Sequence, residues 1–254
     1  MTKPADRFSR RVESYVRSRP AYPQEVAELL KVECGLTPGW AVADIGSGTG
    51  ILSRLFLDSG CRVYGVEPNV EMRRAGEALL ATYRLFTSLD GTAEDTGLPE
   101  VSADLIAAGQ AYHWFDAKAA RREFARILRP RGWVVLIWND RRKLSSPFLQ
   151  AYEELLLAYG TDYEKVDHTR IGPREIQAFY GSEPFATATF DNHQSFRFDG
   201  LKARLLSSSY TPGPDHARHT DMLRALREIF EAHEVDDHVN IEYDTHVYYG
   251  QLKG

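Results

Sequence analysis

The run VADIGSGTGILSRLFLDSGCRVYGVEPN, residues 42–69, decides the fold. Residues 40–45, WAVADI, are a short apolar stretch ending in glycines, the pattern of a strand buried on both faces of a parallel sheet. Past the glycines, ILSRLFLDSG sets Ile51, Leu52, Leu55 and Phe56 at helical spacing, and Gly60 closes the helix. CRVYGVEP then reads as a second strand. Strand, glycine turn, helix and strand make one parallel unit with a right-handed crossover.

Glycines at a strand-to-helix turn let the backbone take positive φ and approach a ligand closely. The dinucleotide-binding spacing G-x-G-x-x-G would require glycine at 51, but Ile51 stands there and the third glycine is Gly50. With Asp44 two residues before Gly46, the loop suits a ligand bearing an ammonium and a carboxylate better than a pyrophosphate. A second acid, Glu67, ends the second strand, across the crevice from the glycines. There a carboxylate can accept from both hydroxyls of a ribose, or stand as a solvated strand-end acid.

The same rhythm continues outward. NVEMRRAGEALLATY predicts a helix, residues 85–89 a weaker third strand, ADLIAAG at 103–109 a fourth strand, 117–128 a helix, and GWVVLIWN a fifth strand after a turn at Pro130–Gly132. Upstream, residues 9–19 and 24–33 carry helical patterns, the second stopped by Gly35. Beyond Asn139 the pattern changes. Helical stretches at 147–159 and 173–180 precede a long strand, FATATFDNHQSFRFD, then helices at 200–209 and 215–234, and a closing strand, IEYDTHVYYGQL. The last two strands alternate in character, which predicts an antiparallel pair at one sheet edge with helices inserted between them. The fold class expected is α/β: a doubly wound, mostly parallel seven-stranded sheet with an antiparallel edge pair and a helical insertion at about 200–238.

The 254 residues carry a formal charge of -5, with 43% hydrophobic and 26% charged residues, as in an ordinary globular domain. Without a basic tract the chain lacks the electrostatic footprint of a nucleic-acid binder, and a small-molecule partner is expected instead. Cys34 and Cys61 are too few for a disulfide framework or a structural zinc site and read as reduced core residues. No signal segment and no membrane-length apolar run is found, so the expected location is cytoplasmic, with no membrane partner. The eight histidines include no H-E-x-x-H, and no metal is expected; His216 and His219 read as a surface pair.

VADIGSGTG, VYGVEPN, GTAEDTGLP and ADLIAAGQAYHWFD, followed by ARILRPRGWVVLIW, resemble in order and spacing the motifs of class I S-adenosylmethionine-dependent methyltransferases. The chain looks like their small-molecule branch, which includes ubiquinone-pathway and trans-aconitate methyltransferase relatives. The likeness is dense over residues 40–139 and thin after them. It implies a Rossmann-like sheet, S-adenosylmethionine as cofactor and a small-molecule methyl acceptor. It also implies one domain over 1–254, with N-terminal helices or a lid over 1–35, a cofactor-binding core over 36–139 and a substrate-covering part over 140–254. Oligomeric state is left open.

Residue by residue, the resemblance places Gly46, Ser47 and Gly48 under the methionyl part of the cofactor, with Asp44 orienting the loop and the amino group. Glu67, followed by Pro68, holds the ribose; Met72 lies on the adenine face or packs as a core methionine. Ala93 and Glu94 contact the adenine edge, Glu94 alternatively serving as a helix-start acid. Gln110 touches the methionyl end, and His113 and Trp114 border the reacting methyl. By residue type alone, Trp114 and Phe115 are expected as core aromatics, and Tyr112 with them. The segment Tyr15 to Pro23 is either a lid, with Arg19 and Tyr22 reaching a carboxylate, or a surface helix and proline turn. Arg10, Arg11, Arg141 and Arg142 are expected as solvated charge, and Tyr152, Tyr159, Tyr163, Phe179 and Tyr210 either enclose a pocket or pack helices.

The activity expected is in-line methyl transfer without metal, to a hydroxyl or carboxylate oxygen. His113 is the candidate base for a hydroxyl or amine acceptor. A noncatalytic cofactor-binding protein of the same fold and an NAD-dependent oxidoreductase are the alternatives, the latter disfavoured by Ile51.

Overall fold

A computed structural model describes residues 19–163, 173–208 and 210–252. The predicted helix at 9–19, except its last residue, and the segment from Tyr15 to Ser18, with Arg10, Arg11 and His168, lie outside the described residues.

Seven strands form one sheet in the order β3-β2-β1-β4-β5-β7-β6. Strands β1 (Ala41–Ile45), β2 (Arg62–Val66), β3 (Phe86–Leu89), β4 (Ala103–Gly109) and β5 (Leu128–Arg141) run parallel. β7 (Val239–Gln251) lies antiparallel between β5 and β6 (Phe185–Phe196), so the expected antiparallel edge pair is present. Among the described residues the α-helices are α1 (Gln24–Cys34), α2 (Ile51–Asp58), α3 (Val70–Leu79), α4 (Ala117–Ile127), α5 (Pro147–Tyr159), α6 (Pro173–Tyr180), α7 (Phe198–Leu206) and α8 (His219–His233). No helix among the described residues is long and apolar enough to cross a membrane.

Successive strand side chains point to opposite faces, and the core divides accordingly. Val42, Leu105, Val135 and Ile137 pack with Val26 and Leu30 of α1 and Leu52 and Phe56 of α2 on one face. Their neighbours Ala43, Ile106, Val134 and Leu136 pack with Phe124 and Ile127 of α4 and Ile176, Phe179 and Tyr180 of α6 on the other. A third cluster joins Leu149 and Tyr152 of α5, Leu201 and Leu205 of α7 and Met222 and Leu226 of α8 to Ile241 and Tyr243 of β7. Cys34 and Cys61 are buried and unbridged.

Helix starts follow local chemistry. Asn69 accepts from the backbone N–H groups of Glu71 and Met72, Asp116 from those of Lys118 and Ala119, and Ser146 from that of Leu149 with Pro147 in the first turn. One expectation fails: no turn separates α4 from β5. The chain becomes extended at Leu128, which pairs with Ala103, and absorbs a register shift before Leu105 pairs with Trp133. Arg131 takes φ 67°, so the segment Pro130–Gly132 is a bulge within the strand. The two inserted helices also begin elsewhere than predicted, at Phe198 and His219.

Candidate active site

A cleft opens at the carboxyl ends of β1 and β4, where parallel sheets bind ligands. Four parts of the chain line it: the glycine loop after β1, the segment after β4, the strap Arg19–Tyr22, and the insertion that brings Arg204 and Tyr210 beside Tyr243 of β7.

The glycine loop is pinned from below. Gly46 and Ser47 both donate to the Val66 carbonyl, at 2.8 and 3.1 Å, and Gly50 donates to the Ser47 carbonyl at 2.8 Å. Gly46 has φ 69°, and a Cβ there would sit 2.7 Å from the Ala111 Cβ, so only glycine lets the loop close on the segment after β4. Gly48 has φ 57°, with Met72 Cε at contact distance from where a Cβ would point. Met72 is therefore buried against the loop. Glu67 ties the loop to β2: its Oε2 accepts from Gly48 N–H at 2.9 Å and its Oε1 from Asn69 N–H at 2.8 Å. Burial pushes the Glu67 carboxyl above the ordinary carboxylate range, against the two backbone donors and Arg73, which pull the other way. Each oxygen keeps a further lone pair for a ligand hydroxyl.

Asp44 is 1% exposed. Ser53 Oγ donates to its Oδ2 at 2.6 Å, yet burial dominates and raises its pKa to about 7. A carboxylate held so far from water is primed for a cationic partner in the cleft. Gln110, at the end of β4, adopts φ 53°, an unusual conformation for a non-glycine residue. Its Nε2 donates to the Asn139 carbonyl at 3.2 Å, while its Oε1 is buried without a hydrogen-bond partner among the described residues. The Thr49 hydroxyl, also on the cleft wall, is likewise unsatisfied. Orphaned acceptors beside a buried acid suit a ligand rich in N–H donors.

After β4 a single 3₁₀ turn, Tyr112–Trp114, carries the aromatic segment. Tyr112 is buried edge-on against Phe115, Trp138 and Phe179, as expected. Trp114 is not a core residue: it is 38% exposed and lines the cleft, its ring 4.7 Å from that of His113, which lines the cleft too. Tyr112 already occupies the inward position of the turn, leaving Trp114 the open side. Phe115 is half-buried against the core, as its type suggests.

The strap is held by three strands. Asn139 Nδ2 of β5 and Asn192 Nδ2 of β6 both donate to the Ala21 carbonyl, at 3.3 and 2.8 Å, and Thr245 of β7 donates to Asn139 Oδ1 at 2.5 Å. Arg19 donates to the Ser207 carbonyl at 3.2 Å. The Tyr22 hydroxyl fits against Gly109, where any Cβ would collide with it.

The cleft therefore gathers Arg19, Tyr22, Asp44, Gly46, Ser47, Gly48, Gln110 and His113. Glu67 meets it only through the Gly48 N–H, and Met72 lies beneath the loop. Pro68 is exposed, Ala93 is in the core, and Glu94 accepts from Asp116 N–H at 2.8 Å at the start of α4, which fits the helix-start role. His216 is exposed, and His219 meets the Pro212 carbonyl at 3.0 Å. The expectation of solvated charge at Arg141 is wrong: it is mostly withdrawn from solvent, ion-paired with Glu153, bonded to the Tyr163 hydroxyl at 3.0 Å and placed over the Tyr152 ring. Register explains this, because β5 runs two residues past Asn139 and pairs Arg141 with Tyr243 inside the third cluster. Arg142 lies at the surface with Asp191 and Asp244. Of the aromatics beyond residue 140, Tyr210 lines the cleft, whereas Tyr152 and Phe179 pack helices. Sequence reasoning missed Asn139, Arg204 and Tyr243. A signal existed for one of them: in FDGLKARLL, Arg204 shares a helical face with Leu201 and Leu205.

Residues 43–136 match the family described as "Methyltransferase domain". An uncharacterized methyltransferase of Mycobacterium tuberculosis is 37% identical over 134 residues, 53% of this chain and 52% of the relative. The chain thus spans about half the length of the mycobacterial relatives it matches. One from Geobacillus kaustophilus is 30% identical over 158 residues, 59% of this chain and 72% of the relative. The solved structure of a putative type II methyltransferase from Anaeromyxobacter dehalogenans superimposes with a TM-score of 0.68 at 21% identity, covering 93% of this chain and 99% of that one.

Proposed function

The chain belongs to the class I S-adenosylmethionine-dependent methyltransferases, and from that premise we propose that it moves a methyl group from this cofactor to an oxygen, hydroxyl or carboxylate, of a small-molecule acceptor. The observation that carries the proposal is the buried Asp44 carboxylate beside a positive-φ glycine loop, on a cleft that Gln110, with its orphaned Oε1, also lines. An ammonium offers these acceptors the donors they lack, and the missing Cβ atoms at Gly46 and Gly48 leave the backbone bare for an amino-acid moiety. Glu67, with one lone pair per oxygen unspent, is the acceptor for ribose hydroxyls. Met72 supplies an apolar surface, and Ala93 and Glu94 stand on the adenine side.

When bound, S-adenosylmethionine supplies a methyl on a sulfonium, an electrophile that reacts by in-line displacement and whose charge is neutralised as it does so. The protein's own contribution is then alignment and exclusion of water. The strap of Arg19 and Tyr22, fixed through Ala21, closes one side of the cleft, and Trp114 borders the other. His113 stands on the same wall and is the group able to take the proton of a hydroxyl acceptor. An already ionised carboxylate requires no base.

The test is calorimetric titration of the full chain with S-adenosylhomocysteine and, separately, with NADH. Saturable binding of the first and none of the second is expected. NADH binding with S-adenosylhomocysteine inert would overturn the proposal. A tritiated-methyl assay over a panel of small hydroxyl and carboxyl compounds then separates an enzyme from a binding protein.

A further inference from the structure

Among the described residues Arg204 has no counter-ion. Its residue is 6% exposed, on the α7 face that also buries Leu201 and Leu205, and it lines the cleft. Its Nε donates to the Tyr243 hydroxyl at 3.3 Å and its Nη1 to Ser208 Oγ at 3.2 Å, both neutral groups. The Tyr243 hydroxyl in turn donates to Gln194 Oε1 at 2.9 Å, so it brings no negative charge. No carboxylate among the described residues pairs with Arg204. Other arginines are treated differently: Arg141, less deeply placed, has Glu153, and Arg126 has Glu123. Guanidinium stays protonated in proteins, and holding that charge away from water costs several kcal/mol unless an anion answers it. Among the described residues lining the cleft the one acid is Asp44, which already accepts from Ser53.

We propose that Arg204 anchors a carboxylate of the methyl acceptor, an inference that rests on the methyltransferase reading of the same cleft. With Nε and one Nη1 hydrogen engaged, Arg204 keeps one edge, a fit for a planar two-oxygen group. Its elements also separate it from the cofactor side: Arg204 and Tyr210 come from the insertion and Tyr243 from β7, whereas the glycine loop and Gln110 follow β1 and β4. The anchored carboxylate is a handle and a different oxygen receives the methyl, because a guanidinium withdraws charge that a nucleophile must donate.

The experiment is thermal unfolding of the full chain in formate or acetate against chloride at matched ionic strength, with and without saturating S-adenosylhomocysteine. These anions are small enough that acceptor shape does not enter. In the saturated parent, formate at tenfold excess over its Kd raises Tm by about 3–6 °C. Arg204→Met loses that rise and keeps the rise caused by S-adenosylhomocysteine. If this variant does not fold, Arg204→Lys, which lacks the paired N–H edge, takes its place and retains at most part of the rise. The same formate rise in parent and variant overturns the assignment, as does no rise in the parent or a larger rise with phosphate. Loss of the formate rise once S-adenosylhomocysteine is bound assigns Arg204 to the cofactor's own carboxylate and overturns it too. If S-adenosylhomocysteine alone leaves Tm unchanged, the methyltransferase reading fails, and the formate comparison still decides Arg204.

Discussion

Asp44→Asn is the substitution whose outcome follows most directly from the structure. Burial raises the Asp44 pKa from 3.8 to about 7, and Ser53 offsets only part of this. A folded-state pKa above the unfolded one means that the folded chain binds the extra proton between these values. Stability therefore falls as pH rises through that window and levels off above about 7. At about 1.4 kcal/mol per pKa unit, a gap of roughly three units amounts to about 4 kcal/mol. Of this, about 2.5 kcal/mol is lost between about pH 5 and pH 8, because the unfolded carboxyl is already mostly ionised at pH 5. Asparagine keeps the shape and can still accept from Ser53, but does not titrate. Urea unfolding of both proteins across this range should show the variant gaining about 2.5 kcal/mol on the parent by pH 8. The other titratable side chains are common to both proteins and cancel in the difference. Stability curves that run parallel from pH 5 to pH 8 would refute the reasoning.

Three further substitutions probe the cleft. Glu67→Ala removes a carboxylate bonded to Gly48 and Asn69 and should weaken S-adenosylhomocysteine about 10- to 150-fold by calorimetry, the range for hydrogen bonds to a charged group. An unchanged Kd in a folded variant would take Glu67 out of the site. Gly48→Val forces a β-branched residue to φ 57° and should abolish the binding heat; normal binding would end the glycine-loop argument. With a hydroxyl acceptor, His113→Gln should lower kcat roughly 100-fold, cofactor affinity being preserved. A rate within a few-fold of the parent at every pH would remove His113 as a base.

The parallel half of the fold was legible because each of its signals was local. A glycine loop after an apolar run, alternating strand faces and the spacing of Leu52, Leu55 and Phe56 all sit within a few residues of one another. The antiparallel pair was legible from alternation, whereas the bulge at Arg131 depends on pairing with β4, which local pattern does not encode. The same limit governs the site. Asp44, Gly48 and Gln110 could be placed at one cleft because strand ends in a parallel sheet converge. The strap contact between Asn139, Asn192 and Ala21 joins residues 118 and 171 positions apart, and no spacing rule reaches that far. Arg141 was misjudged because charge alone says solvent, and only its place opposite Tyr243 reveals the partner Glu153. Arg204 could have been flagged as the charge interrupting an apolar helical face.

The position of β7 between β5 and β6 has a consequence for synthesis. β6 leaves the ribosome before β7, and its backbone N–H and C=O groups find their partners only when residues 239–251 arrive. The parallel strands β1 to β5 pair with one another, β5 alone also meeting β7 on its outer edge, and can form their parallel ladders first. Tyr243 and Thr245 ride on the late strand, one meeting Arg204 and the other steadying the asparagine that grips the strap. The half of the cleft assigned to the acceptor is thus completed last. A nascent chain halted before residue 239 would carry a cleft without Tyr243 and Thr245, and an orphaned twelve-residue strand open to other chains.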